Sequence, residues 1–177
     1  MRKPYRPPLA RKNPINQYRG AVAKAQGKRF EAYIDISLRY YQQQHLAVVE
    51  KTPEPMRPTK NLGGGKFIAF FEKAAQPDYK GTLKGGRAVV FEAKYTAADR
   101  IEQDRVTPEQ AERLDDHLAA GALCFVIVGF QAGQVYRVPW EVWRDMKTHF
   151  GHKYATEEEL DAYKVPLSRN GVLLLLD

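Results

Sequence analysis

The sequence predicts an α/β domain, a mixed β-sheet flanked by helices, and three observations carry that expectation. The proline-free stretch Arg19 to Gln44 places Phe30, Ile34, Leu38 and Tyr41 at helical spacing. Two apolar runs, Ala88 to Tyr95 and Leu123 to Phe130, have the length and β-branched content of buried strands. Between them, Thr107-Pro108-Glu109-Gln110 is a helix start, with Thr107 as N-cap, Pro108 at the first helical position and Gln110 at the third. The full order reads α-β-β-β-α-β-β-α, and a sheet built in that order buries its faces under helices.

Taken along the chain, Met1 to Tyr18 is rich in Pro, Arg, Lys and Asn and predicts an extended or disordered basic arm, so a single domain is expected over residues 19–177. Leu46 to Glu50 is a short first strand. Thr52 to Gln76 interrupts the strands with Pro53, Pro55, Pro58, the run Gly63-Gly64-Gly65 and an aromatic cluster of Phe67, Phe70 and Phe71. An insertion of that length between strands points to a projecting functional element. Asp78 to Lys84 and Ala88 to Tyr95, joined at Gly85-Gly86, form a hairpin. The helix after Thr107 carries Ala111, Leu114 and Leu118 inward and ends at Gly121. Gln134 to Val138 is a further strand, Pro139 to Phe150 one helix with Trp140 and Trp143 inward, and Thr156 to Tyr163 a short capped helix. The apolar tail Gly171 to Leu176 is expected to pack against the body.

Charge is unevenly spread. The chain carries a formal net charge of +7, and residues 1–60 hold 13 Lys/Arg against 4 Asp/Glu, whereas the remainder is slightly acidic. A basic arm and first helix on a near-neutral body suit contact with a phosphate backbone. Arg2, Lys3, Arg6, Arg11, Lys12 and Arg19, with Tyr5 and Tyr18 among them, offer charge and stacking, and Lys28, Arg29, Arg57, Lys60 and Lys66 extend the basic set. Cys124 is the only cysteine and lies in an apolar run, so a core role is expected and an internal disulfide or thiolate metal site is excluded. With no long apolar run and no apolar leader segment, the expectation is a cytoplasmic protein with no membrane contact.

The chemistry is concentrated at Asp78 and Glu92-Ala93-Lys94. Side chains alternate faces along a strand, so Glu92 and Lys94 share a side at the strand end, near the turn that holds Asp78. Two carboxylates suit a hard cation such as Mg2+. A bound cation polarises a phosphate and activates water, and an ammonium supports the developing charge, so the set points to a metal-dependent phosphodiester nuclease. Glu31 flanks the Phe30/Ile34 stripe and Gln110 stands one turn before Leu114, so both can reach the strand-end carboxylates. The alternatives are that Asp78 is a turn residue, that Lys94 is a structural partner for Glu92, and that Gln110 is only a cap. His149 and His152 form an HxxH without a third ligand nearby and read as surface. Gly63-Gly64-Gly65-Lys66 lacks the full P-loop pattern, and neither serine, Ser37 or Ser168, sits in a nucleophile elbow.

With these residues in view, the chain resembles a known family. Gly27-Lys28-Arg29-Phe30-Glu31, Asp78-Tyr79-Lys80-Gly81, Phe91-Glu92-Ala93-Lys94, Gln110 and Cys124-Phe125-Val126-Ile127 are similar, in order and spacing, to the RecU-type Holliday junction resolvases of the PD-(D/E)xK nuclease superfamily. The resemblance implies a restriction-endonuclease-like fold and a homodimer that cuts four-way junction DNA symmetrically with Mg2+ (or Mn2+). A recombinase or a branch-migration helicase is a further partner to consider. It casts Asp78, Glu92 and Glu31 as metal ligands, Lys94 as the catalytic lysine, Gln110 as completing the site, and residues 52–76 as the family's stalk. Pro77 stands where the family carries threonine, and the stalk is glycine- and aromatic-rich. Two other readings are a related nuclease acting on duplex or flap DNA and a non-catalytic junction-binding protein.

Overall fold

The structure is a computed structural model, and it describes residues 14–71 and 76–177. The elements in chain order are α1 (Pro14–Gln43), β1 (Ala47–Lys51), β2 (Met56–Gly63), β3 (Lys66–Phe71), β4 (Tyr79–Leu83), β5 (Ala88–Thr96), β6 (Arg100–Glu102), α2 (Pro108–Ala119), β7 (Leu123–Phe130), β8 (Val135–Pro139), α3 (Trp140–Arg144), α4 (Met146–Phe150) and β9 (Tyr154–Thr156). Short 3-10 turns at Gln103–Arg105 and Asp161–Tyr163 complete the described chain.

Five strands form the main sheet in the order β1-β4-β5-β7-β8. It is mixed, because β5 and β7 pair in parallel through the α2 crossover while the other neighbours are antiparallel. Alternation along β7 separates two apolar cores. Phe125 and Ile127 meet α1 through Phe30, Ile34 and Leu38. Cys124, Val126, Val128 and Phe130 face Leu114, Trp140, Trp143 and Met146. Burial pushes the Cys124 thiol up to about 11, in keeping with a core role.

Two glycines set the spacing of these layers. A Cβ on Gly129 would lie 2.6 Å from the Phe30 ring, so glycine lets α1 settle on the sheet and brings Glu31 to its edge. A Cβ on Gly81 would lie 2.1 Å from the Val48 carbonyl oxygen, so β4 can approach β1 only without a side chain there. Across the same layer Tyr79, Phe91 and Phe125 stack in series, with 4.8 Å between successive ring centres.

The insertion between β1 and β4 is a β-hairpin, β2 with β3, that forms its own two-stranded sheet. Gly63, Gly64 and Gly65 all have positive φ, the conformation a tight hairpin turn requires. Every residue of β2 is exposed, as are Phe67, Ile68 and Phe70 of β3, so the element projects from the body as expected.

The structure corrects the sequence reading at four places. Helix α1 starts at Pro14, not Arg19, since proline is tolerated in a first helical turn; residues 1–13 of the basic arm lie outside the described residues. The expected single helix over 139–150 is two, α3 and α4, separated at Asp145 (φ −105, ψ 30). The Gln103 side-chain amide donates to the carbonyls of Trp143 and Arg144, capping α3 where a continuous helix would use those groups itself. Thr156 ends a strand, β9, which pairs with β6 in a small sheet absent from the sequence reading. The Thr156–Glu159 reciprocal bonds form, but they close a turn followed by the 3-10 segment, with no α-helix. Among the described residues no helix is long and apolar enough to cross a membrane.

Candidate active site

Strand β5 carries the chemistry to the centre of the sheet. Its first half, Val89 to Phe91, is buried as an apolar strand should be, and Glu92 continues that burial with 0% exposure. A buried carboxylate needs partners. Glu92 Oε2 accepts from Lys94 Nζ at 2.7 Å and from Gln110 Nε2 at 2.6 Å. Lys94, also largely buried, donates to Gln110 Oε1 at 3.2 Å and lies 3.9 Å from Asp78 Oδ2.

Each partner is held by local structure. Asp78 precedes β4, and its Oδ2 accepts the Ala93 backbone N–H at 2.9 Å, which ties it to β5. Gln110 does two jobs. Its Oε1 accepts the Thr107 backbone N–H at 3.1 Å while Thr107 Oγ1 accepts from the Gln110 N–H, a capping box. The same side chain bonds Glu92 and Lys94, so the start of α2 fixes the amide that orients the site.

Glu92 Oε1 is buried and accepts no hydrogen bond among the described residues. Leaving such an atom bare costs about 1–3 kcal/mol. Burial, with Asp78 nearby as the second cause, pushes the Glu92 carboxyl up to about 8, and Lys94 pulls the other way.

Outside this network the floor opens into a cleft of about 690 Å³, lined by Glu31, Asp78, Lys94, Asp104 and Arg105 among others. Glu31 reaches the cleft from α1, but its Oε2 accepts from Lys51 Nζ at 2.5 Å. That hydrogen bond raises the Lys51 ammonium above its ordinary range. Among the described residues no group of three or more His, Cys, Asp or Glu gathers around one point to hold a metal. Asp78, Glu92, Lys94 and Gln110 are thus brought together, with Glu31 on the cleft wall beside them.

The donor set fits a hard cation. Mg2+ takes oxygen ligands, is commonly held by one or two carboxylates, and keeps waters for the rest of its shell. Asp78 and Glu92 provide two such carboxylates, and the bare Glu92 oxygen is the strongest mark of a missing partner.

Of the basic residues, Lys28, Arg29, Arg57, Lys60 and Lys66 are exposed on α1 and the hairpin, and Arg19 lies on the backbone of α1. Arg2, Lys3, Arg6, Arg11 and Lys12 lie outside the described residues. His149 is exposed, and half-buried His152 stacks on Tyr154 and pairs with Glu159 at 3.0 Å.

Sequence reasoning missed Lys51, Asp104 and Arg105. The pairing of β1 with β4 sets Lys51 opposite Tyr79, the neighbour of Asp78, so only a strand register would have found it. Asp104 and Arg105 sit in the short turn after β6, an element the sequence reading did not contain.

The chain is 32% identical over 120 residues to the Holliday junction resolvase RecU of Streptococcus pneumoniae strain Hungary19A-6, a stretch covering 64% of this chain and 60% of that protein. The protein of the same description from strain G54 matches to the same extent. The chain thus spans about 60% of the length of these curated relatives. Among solved structures, Archaeoglobus fulgidus Hjc, a Holliday junction resolvase, superposes with a TM-score of 0.49 at 13% identity, covering 82% of this chain and 95% of that one. The family model described as "RecU: Recombination protein U" matches residues 25–176, a span holding Glu31, Asp78, Glu92, Lys94 and Gln110 together, and the chain belongs to that family.

Proposed function

We propose that this chain is a metal-dependent, structure-selective DNA endonuclease that resolves Holliday junctions by symmetric phosphodiester hydrolysis during recombination and repair, acting as a homodimer in the cytoplasm. The observation that carries the reading is buried Glu92, set behind the Asp78 and Lys94 that line the cleft, with one oxygen locked by Lys94 and Gln110 and the other bare. A structural ion pair has no use for a bare buried oxygen, whereas a cation-binding carboxylate does. The family, and the description of the pneumococcal relatives as Holliday junction resolvases, support the choice of substrate.

In this reading Asp78 and Glu92 hold Mg2+ (or Mn2+), and Glu31 contributes from the cleft wall when its bond to Lys51 gives way. When bound, the cation supplies the charge that polarises the phosphate and eases deprotonation of water. The protein does the rest. The Ala93 N–H fixes Asp78, Gln110 orients both Glu92 and Lys94, and Lys94, which lines the cleft, stabilises charge that develops on the phosphate. The exposed hairpin engages the junction centre through Phe67 and Phe70, and the basic residues that precede and open α1 contact the DNA backbone with Lys28 and Arg29. A recombinase or a branch-migration helicase is the further partner this role implies.

The test is cleavage of a mobile four-way junction, a flap and a linear duplex of shared sequence, each with and without Mg2+. Selective, paired nicking of the junction only with the metal supports the proposal. Equal cutting of flap or duplex would replace it with a general nuclease, and binding without nicking would replace it with a non-catalytic junction protein.

A further inference from the structure

Helix α1 presents Ala23, Gly27 and Glu31 to the cleft at successive four-residue intervals, which puts them on one face. Gly27 sits inside a helix, where glycine is the poorest residue apart from proline. Nothing in the fold demands it, because a Cβ built there meets no atom within 4 Å and its φ lies outside the positive range. Gly129 and Gly81 differ in this respect, since packing excludes a side chain at both. The space over Gly27 is open, and it opens onto the catalytic floor.

The cations bordering that space form a second, independent observation. Arg105 lines the cleft, and its guanidinium donates to the Tyr95 carbonyl at 3.3 Å. Tyr95 follows Lys94 on β5, so this bond places the Arg105 guanidinium beside the strand that carries the site. Lys24, also lining the cleft, comes from α1. Among the described residues neither has a carboxylate within ion-pair distance, whereas Lys51, Lys94, Arg100 and Arg144 all do. Asp78, Glu31 and Asp104 share the cleft, so a polyanion entering it needs uncommitted positive charge nearby.

We infer that the sugar–phosphate backbone of the scissile strand runs through the cleft between Gly27 and Arg105, with Gly27 leaving room for the strand and Arg105 and Lys24 holding phosphates that flank the one to be cut. The inference rests on the proposed nuclease reading and adds the strand's path to it. Arg105 and Lys24 are positioning residues, engaged before and during cutting. Their contacts are to phosphate, so they carry no base preference.

The experiment compares Gly27→Ala, Gly27→Leu, Arg105→Gln, Arg105→Lys and the unaltered chain, each checked by thermal melting. Binding to a fluorescent four-way junction and to a linear duplex is measured in EDTA across a salt series, and cutting is then measured in Mg2+. Gly27→Leu should melt at or above the temperature of the unaltered chain yet bind DNA at least roughly tenfold more weakly, about the loss of one charge-assisted hydrogen bond. Gly27→Ala should melt higher and lose less binding. Arg105→Gln should lower the slope of log affinity against log salt by about 0.9, the share of one phosphate contact, and Arg105→Lys should restore it. In Mg2+ both Gly27→Leu and Arg105→Gln should raise KM more than they lower kcat. A folded Gly27→Leu protein that binds and cuts as before, or an unchanged salt slope in Arg105→Gln, overturns the inference. An unaltered chain that binds DNA without cutting would sink the nuclease reading and leave the strand path to be decided by the binding data. An unaltered chain that binds no DNA would overturn the path as well.

Discussion

Replacing Glu92 with glutamine should make the metal-free protein more stable at alkaline pH, although it removes a residue from the centre of the site. Glu92 is fully buried, and that burial pushes its carboxyl up to about 8 from an ordinary value of 4.5. Between these values the folded chain binds a proton that the unfolded chain has released, so stability falls as pH rises across the window. Each unit of displacement is worth about 1.4 kcal/mol, so Glu92 removes about 4 kcal/mol of stability by pH 8, and at most about 5 above it. Glutamine keeps the shape and the contact with Lys94, but does not ionise. Urea unfolding in EDTA from pH 5 to 9 should show the unaltered chain losing stability with pH while Glu92→Gln shows a much flatter profile. The two curves should cross, with the variant ahead at pH 8. Saturating Mg2+ at pH 8 should restore part of the loss in the unaltered chain, by about 2.7 kcal/mol at a hundredfold excess over Kd, and do little for the variant. Parallel pH profiles for the two proteins would refute the claim that Glu92 is buried without enough compensation.

The neighbouring residues give sharp expectations of their own. Gln110→Ala removes half of a capping box and the amide that orients Glu92, so it should cost about 1–2 kcal/mol in urea unfolding and also depress junction cleavage. An ordinary cap substitution would produce the first effect without the second. Gly81→Ala places a Cβ 2.1 Å from the Val48 carbonyl and must push β1 from β4, so it should destabilise by about 3 kcal/mol or more, read as a lowered urea midpoint. The double change Phe67→Ser and Phe70→Ser lies on exposed hairpin positions, so melting should hold within about 0.5 kcal/mol of the unaltered protein. Competition binding should nevertheless show a reduced preference for four-way junction over duplex. An unchanged preference would remove the hairpin from junction recognition.

Most of the candidate site was legible in the sequence because its geometry is short-range. Strand alternation alone puts Glu92 and Lys94 on one side, and the Thr107/Gln110 cap fixes the turn of α2 that faces them. The architecture followed from apolar runs of strand length and from a helix stripe whose buried members are Phe30, Ile34, Leu38 and Tyr41. What escaped depended on pairing between distant segments. Lys51 meets Glu31 only because β1 pairs with β4 beneath α1. The β6–β9 sheet has three-residue strands some fifty positions apart, too short for any periodicity to show. The break at Asp145 answers to Gln103 from another part of the chain, so local helix propensity misses it. Thr156 and Glu159 form the expected cap bonds, but one turn of favourable capping does not offset the cost of starting a helix.

The central claim is that Asp78 and Glu92 form a cation-dependent centre for cutting junction DNA, and single-turnover cleavage of a four-way junction tests it most directly. With Mg2+ the unaltered chain should place paired, symmetric nicks in opposing strands, and with EDTA none. Asp78→Asn should bind the junction at least as tightly while cutting at least roughly a thousandfold more slowly. Cleavage by Asp78→Asn at the unaltered rate in Mg2+, or equal cleavage by the unaltered chain in EDTA, would contradict it.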